Sequence, residues 1–250
     1  MFKGFYNLTS GMLTHGKHLD VISNNMANVA TAGYKADRFT GATFEEVMWQ
    51  RVGNKAKNYT ELGIQSWITA PSALYTDYSQ GAFDPTGMPL DFGIEGAGYF
   101  AVQHGDERIY TRDGNFTLDN EGYLTLPTQG RVLDVNGQPI RLVTDKINAD
   151  DYGGLFTENG GFLGRIGVFA FENEEEMLEK NEYGWFVSDT QPQTTLVKVH
   201  QRMVERANTD LVQQMTEMIS TERAYQSAAE VTKIYDDMMT KATTDVGRLG

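Results

Sequence analysis

Two stretches of helical apolar spacing stand at opposite ends of this chain, and a turn-punctuated middle separates them. Near the start, Phe5, Leu8, Met12, Leu19, Ile22, Met26 and Val29 step mostly by threes and fours. Phe5, Met12, Leu19 and Met26 recur every seven residues, which draws a narrow stripe on one face of a helix. At the far end, Leu211, Met215, Met218 and Tyr225 mark a second stripe, and Ala228, Val231, Tyr235, Met238 and Ala242 continue it with a small phase shift. No glycine or proline interrupts the chain between Pro192 and Gly247. A helix with one narrow stripe buries too little by itself and needs a partner. The spacing therefore predicts that the terminal segments 1–34 and 208–250 pair as a coiled-coil-like inner domain. The bland alternative is that both are ordinary core helices of a monomer.

Signals at the helix ends agree with this. The first stripe stops at TAGYK, where Gly33 can take the left-handed conformation that ends helices. Asn208, Thr209 and Asp210 supply candidate caps for the second, and Asp210 with Gln213 has capping-box spacing. Methionine gathers in these segments, at Met12, Met26, Met215, Met218, Met238 and Met239. Its flexible thioether tolerates several packings, which suits interfaces that are not strictly equivalent.

Between the helices the pattern is that of β structure. YFAV, RIYTRD, FTLD, YLTL, RVLDV, PIRLV, RIGVFAF, WFVS and TTLVKV are short β-prone runs. Asp113-Gly114, Asn120-Glu121-Gly122, Asn136-Gly137 and Asn159-Gly160-Gly161 separate them and suit hairpin turns with positive φ. The fold class expected is α+β, with a mainly antiparallel outer domain over 88–207. Residues 35–87 have weak periodicity and read as an extended or partly helical linker. Tyr99, Phe100, Tyr110, Phe116 and Tyr123 fall in expected strands and read as sheet core.

Composition narrows the function. The formal net charge of −13 argues against general binding to nucleic acid, itself densely negative. The absence of cysteine removes disulfides, thiolate metal sites and thiol nucleophiles. Apolar runs fall far short of the roughly 20 residues a membrane span needs, so no lipid-bilayer insertion is expected. The start, MFKGFYNLTSGM, lacks the apolar run and small-residue site of a cleaved secretory signal.

Catalytic and metal signatures are weak. His15 and His18 stand three apart, but two imidazoles with no carboxylate or cysteine one helical turn from either make a poor metal site. Asp113–Glu121 lacks the alternating ligands of a calcium loop. Glu172, Glu174, Glu175, Glu176 and Glu179 read as a solvated loop or short exposed helix. Serine-hydrolase, phosphate-loop and zinc-hydrolase motifs are missing. No cofactor, no metal and no enzyme activity are expected.

Three blocks carry a resemblance. LDVISNNMANVATAGYK, with Asn24, Asn25, Ala27, Asn28, Thr31, Gly33, Tyr34 and Lys35, resembles the N-terminal signature of the flagellar basal-body rod and hook axial family. TGMPLDFGIEGAGYFAV, followed by YTRDGNFTLDNEGYL, is similar to the family's central block, and NTDLVQQMTEMISTERAY to its C-terminal one. The chain departs from the pattern at Arg202, where a glycine is usual, and at Ala207, where serine is common.

The resemblance implies a rod subunit, proximal or distal, since hook subunits are generally longer. Such a subunit assembles with itself and with homologous axial subunits into a hollow shaft that transmits torque. It is exported through the flagellar type III apparatus without signal cleavage, to an extracytoplasmic basal body. The expected assembly interface is Phe5, Leu8, Met12, Leu19, Ile22, Asn24, Asn25, Met26, Asn28 and Val29, with Leu211, Met215, Met218, Tyr225, Val231, Tyr235 and Met238. A monomeric surface-exposed, adhesive β-rich protein with helical arms is the alternative.

Overall fold

Side chains of Asp, Asn and Thr set the turns of the β region, and they do so five times in one pattern. In the computed structural model, which describes residues 2–52, 59–142, 144–181 and 183–247, Asp119, Asp134, Asp150, Thr157 and Asn181 each stand three residues before a glycine. Each glycine N–H donates to the carbonyl of that first residue, whose own N–H donates to the carbonyl four places on. The side-chain oxygen then accepts the N–H four residues later, at 2.7–2.9 Å. Gly122, Gly137, Gly153, Gly160 and Gly184 all carry φ between 74° and 84°. The spacing D/N/T-x-x-G accompanies all five of these turns but does not suffice for one, since Asp84 to Gly87 shares it and the Gly87 N–H donates to Arg202 instead. Gly114 is different. It lacks positive φ, and a Cβ there would strike the carbonyl of Phe92, so close packing and not turn geometry requires glycine.

The chain divides into two units. One comprises Met1–Met26, Asp37–Tyr75 and Leu211–Gly250, the other Ala27–Ala36 and Thr76–Asp210. In the first, α1 spans Phe2–Ala27 and the last helix spans Leu211–Gly247, whose 37 residues extend about 55 Å. Helix α1 ends at Ala27, six residues before Gly33, so Gly33 shapes the exit turn at φ 65° and does not cap the helix. The stretch read as a linker carries two long strands, Asp37–Val52 and Tyr59–Thr76, paired as a ribbon. Their content of Thr, Val, Ile, Phe, Trp and Tyr favours strands, although the alternation along them is weak.

The second unit is built on the strand Tyr99–His104. It pairs antiparallel with Glu107–Thr111 along one edge. Its other edge is shared: Gly130–Val132 takes Val102 and Gln103, and Val168–Ala170 takes Phe100 and Tyr99. Tyr99 and Ala101 face one cluster with Tyr110, Phe169, Phe171 and Phe186. Phe100 and Val102 face the other, with Phe92, Ile109, Phe116, Leu124 and Val132. Both faces of this strand are buried, which is why its sequence is a continuous apolar run and not an alternating one. Of the five aromatics expected in the sheet, four are buried in these clusters, and Tyr123 lies half-buried beneath Arg131. The run Pro139–Leu142 forms isolated bridges, Leu133 with Pro139 and Tyr123 with Arg141, and no strand. The short helix α2, Glu174–Met177, buries none of its residues and carries Glu174, Glu175 and Glu176 of the acidic cluster. The Leu211–Gly247 helix is therefore α3.

Candidate functional site

The two long helices run antiparallel along three side-chain contacts. Thr232 Oγ1 lies 3.6 Å from Met12 Sδ, His18 Nε2 3.1 Å from Glu217 Oε1, and Asn25 Nδ2 3.4 Å from Gln214 Oε1. The His18 ring also stacks on Phe39, with centroids 5.1 Å apart. On α1 the more covered positions step through Gly11, Thr14, His18, Ile22 and Asn25. On α3 they step through Gln214, Met218, Thr221, Tyr225, Ala228, Thr232 and Tyr235. Both rows keep helical three-and-four spacing but are small or polar at many positions.

The bulky apolar side chains of α3 lie mostly on the other face. Val212 is 73% exposed, Ile219 51%, Ile234 57% and Met238 55%, and Leu211, Met215 and Val231 are exposed with them. They form two apolar patches, one over 211–219 and one over 231–238, parted by Glu222, Arg223 and Gln226. Among the described side chains of α1, Phe5, Tyr6 and Leu13 are the exposed large apolar ones. Removing such surface from water stabilises at roughly 25 cal/mol per Å², so each uncovered side chain is a potential contact.

The expected interface residues therefore divide. Phe5, Leu211, Met215, Val231 and Met238 are exposed. Leu8, Met12, Leu19, Met26, Met218, Tyr225 and Tyr235 are half-buried. Ile22, at 1% exposure, is enclosed within its own unit. So is Asn25, whose side-chain amide pairs with the backbone of Asp37 in both directions, at 2.8 and 3.0 Å. Asn24 is exposed, while Asn28 and Val29 are half-buried in the other unit, where Asn28 Oδ1 accepts from Thr31 Oγ1. Val212, Ile219, Ile234, Tyr6 and Leu13 escape a seven-residue reading because they fall off the stripe.

A second feature lies in the other unit, where the signature blocks meet. The Glu205 carboxylate, with no solvent exposure, accepts from Lys35 Nζ at 2.6 Å and Gly81 N–H at 2.8 Å through one oxygen. Its other oxygen accepts from Arg112 Nη1 at 3.2 Å. Lys35 also donates to the Ser79 carbonyl, and Arg112 to that of Gly96. The Glu205 carbonyl accepts from Gly33 N–H. Burial pulls the Lys35 ammonium below its ordinary range, against the opposing pull of Glu205. Asn208 is taken up here as well. Its Oδ1 accepts the Ala36 N–H at 2.7 Å and its amide donates to the Asp77 and Ser79 carbonyls. None of these contacts was evident from local sequence, because the partners lie up to 172 positions apart.

The remaining candidates carry no assembled chemistry. His18 is engaged by Glu217 and Phe39, and no group of three or more His, Asp or Glu among the described residues is placed to hold a metal ion. No described helix is long and apolar enough to cross a membrane.

Comparison with known proteins agrees along the whole length. Residues 5–35 match the family model described as "Flagella basal body rod protein". Residues 93–183 match "Flagellar hook protein FlgE/F/G D1 domain", and 200–245 match "Flagellar basal body rod FlgEFG protein C-terminal". The chain is 33% identical to the flagellar basal-body rod protein FlgG of Bacillus subtilis, covering 96% of this chain and 97% of that protein. It is 30% identical to FlgF of Caulobacter vibrioides over 100% and 99% of the two. The hook protein FlgE of Treponema pallidum is 33% identical over 60% of this chain and 34% of its own length.

Proposed function

This chain belongs to the family of flagellar basal-body rod proteins, and we propose that it builds the rod through the uncovered faces of its terminal helices. It is a structural subunit of the basal-body rod. The reading of the interface rests on one observation: Val212, Ile219, Ile234 and Met238 of α3 face outward, while its covered row is small or polar at Gln214, Thr221, Ala228 and Thr232. A face of this kind gains burial only against another chain.

Copies of this chain and homologous axial subunits are the partners that fit. Contacts that repeat from one copy to the next without closing give a helical filament, and in the rod that filament is a hollow shaft that carries torque and passes exported subunits. Coiled-coil pairing of α1 with α3 inside the shaft, and arrival through the flagellar export apparatus, complete the reading. The monomeric adhesive alternative finds no support among the relatives. Neither a cofactor nor an enzymatic step enters the reading.

Single substitutions Ile219→Asp and Ile234→Asp test it. Each places a charge on an exposed patch and spares the buried rows. Purified variants with unchanged circular dichroism, combined with basal bodies lacking complete rods in electron micrographs and lost spreading in soft agar, are expected. Normal rods from both variants would overturn the interface assignment.

A further inference from the structure

The Lys35–Glu205–Arg112 cluster joins three segments that are remote in sequence and that no local propensity would bring together. Lys35 lies in the segment leaving α1, Glu205 in the segment leading into α3, and Arg112 at the end of the strand Glu107–Thr111. All three side chains are buried. A buried ion with a missing partner is strongly unfavourable, so neither the Lys35 segment nor the Arg112 segment closes well without Glu205. The backbone is tied at the same place. Gly33 N–H donates to the Glu205 carbonyl and Asn208 N–H to the Tyr34 carbonyl. Gly81 N–H donates to Glu205, and Asn208 holds Ala36, Asp77 and Ser79.

We propose that this cluster is a latch that couples the segment leaving α1 to the segment leading into α3, so that the two open or hold as one. The hydrogen bonds alone would allow either segment to fray by itself. The shared carboxylate does not, since Lys35 and the Gly81 N–H bind the same Glu205 oxygen, and loss of Lys35 strips that buried oxygen of its cation and takes a donor from the Ser79 carbonyl. A displacement begun on one terminal segment is thereby delivered to the other through the β unit. This extends the assembly reading from which faces touch to how the segments flanking the two helices are tied together, and it does not depend on which faces touch.

Amide hydrogen exchange on the full-length chain tests it. In the unmodified protein with increasing denaturant, the amides of Gly33, Gly81 and Asn208 are expected to follow one common opening isotherm. In Lys35→Met, all three are expected to exchange on the order of a hundredfold faster together, while Val102 and Ile109 keep their protection. Separate isotherms for Gly33 and Asn208 in the unmodified protein would overturn the latch even if the variant failed to fold. So would acceleration confined to 33–36 in the variant.

Discussion

Gly33 presses against the backbone of Arg112, holding a φ of 65° at a point where an added Cβ would strike the Arg112 carbonyl carbon and the Asp113 nitrogen. Conformation and space both require glycine here. Gly33→Ala is expected to cost about 2–4 kcal/mol, from left-handed backbone strain plus overpacking against atoms that cannot move aside. Gly160 makes the comparison clean, because its φ is 80° but nothing lies within 4 Å of a Cβ. Gly160→Ala should cost only about 1 kcal/mol. Urea midpoints of the two variants check this, and equal losses would refute the part assigned to Arg112.

Arg202 holds a φ of 67°, on an exposed residue between the strands Lys198–Gln201 and Met203–Glu205. Its N–H donates to Asp91 and its carbonyl accepts from Thr86 and Gly87, so the backbone is fixed in that strained state. The sequence pattern usually carries glycine at this place, and the backbone angle is the physical reason. Arg202→Gly should therefore stabilise by about 0.5–1 kcal/mol, the relief of strain exceeding the added freedom of the unfolded chain. A lowered thermal midpoint would count against it.

Asp113 provides a pH signature. Burial, aided by the charge of Asp91, pushes its carboxyl from an ordinary 3.8 up to about 6, and the N–H of Asn115 only partly offsets this. As pH rises from 4 to 6 the unfolded chain loses this proton first, so the folded state holds more protons and stability falls across that window. Above it the loss is complete and flat. Asp113→Asn keeps an acceptor for Asn115 and should raise stability at pH 7 by up to about 3 kcal/mol, while the fall between pH 4 and 6 diminishes. Denaturant titrations at pH 4, 5, 6 and 7 read both effects. An unchanged pH slope in the variant would show that other groups carry it.

The helices, the β middle and most of its turns were legible, because each is written in spacing over fewer than ten residues. Asn120-Glu121-Gly122, Asn136-Gly137 and Asn159-Gly160-Gly161 were found, whereas the turns at Asp150–Gly154 and Asn181–Trp185 were not. These two have no Asn within the two residues before the operative glycine, and what all five turns share is the Asp, Asn or Thr three places earlier. The covered face of α3 was harder to read. Apolar periodicity assigns burial to the bulkiest residues, but here Gln214 is drawn to the covered row by Asn25, 189 positions away, and Glu217 beside it reaches His18, 199 positions away. Glu205 was invisible for the same reason. A lone glutamate in a polar stretch reads as solvated until Lys35 and Arg112 are known to converge on it.

Ile22 and Ile219 should respond oppositely to the same change. Ile22 is buried in the covered row of α1 at 1% exposure, while Ile219 is 51% exposed on the outer patch. Removing the Ile22 side chain to alanine deletes buried methyl groups and leaves a cavity, expected to cost about 2–5 kcal/mol. That loss should appear as reduced helical circular dichroism, because the helical unit has few other fully buried apolar side chains among its described residues. Ile219→Ala deletes the same groups from a surface already half in water. Its stability should change by no more than about 0.5 kcal/mol. Assembly should weaken instead, since the lost area is area a neighbouring subunit would cover. A chain in which Ile219→Ala melts early while Ile22→Ala folds normally would invert the assignment of the two faces.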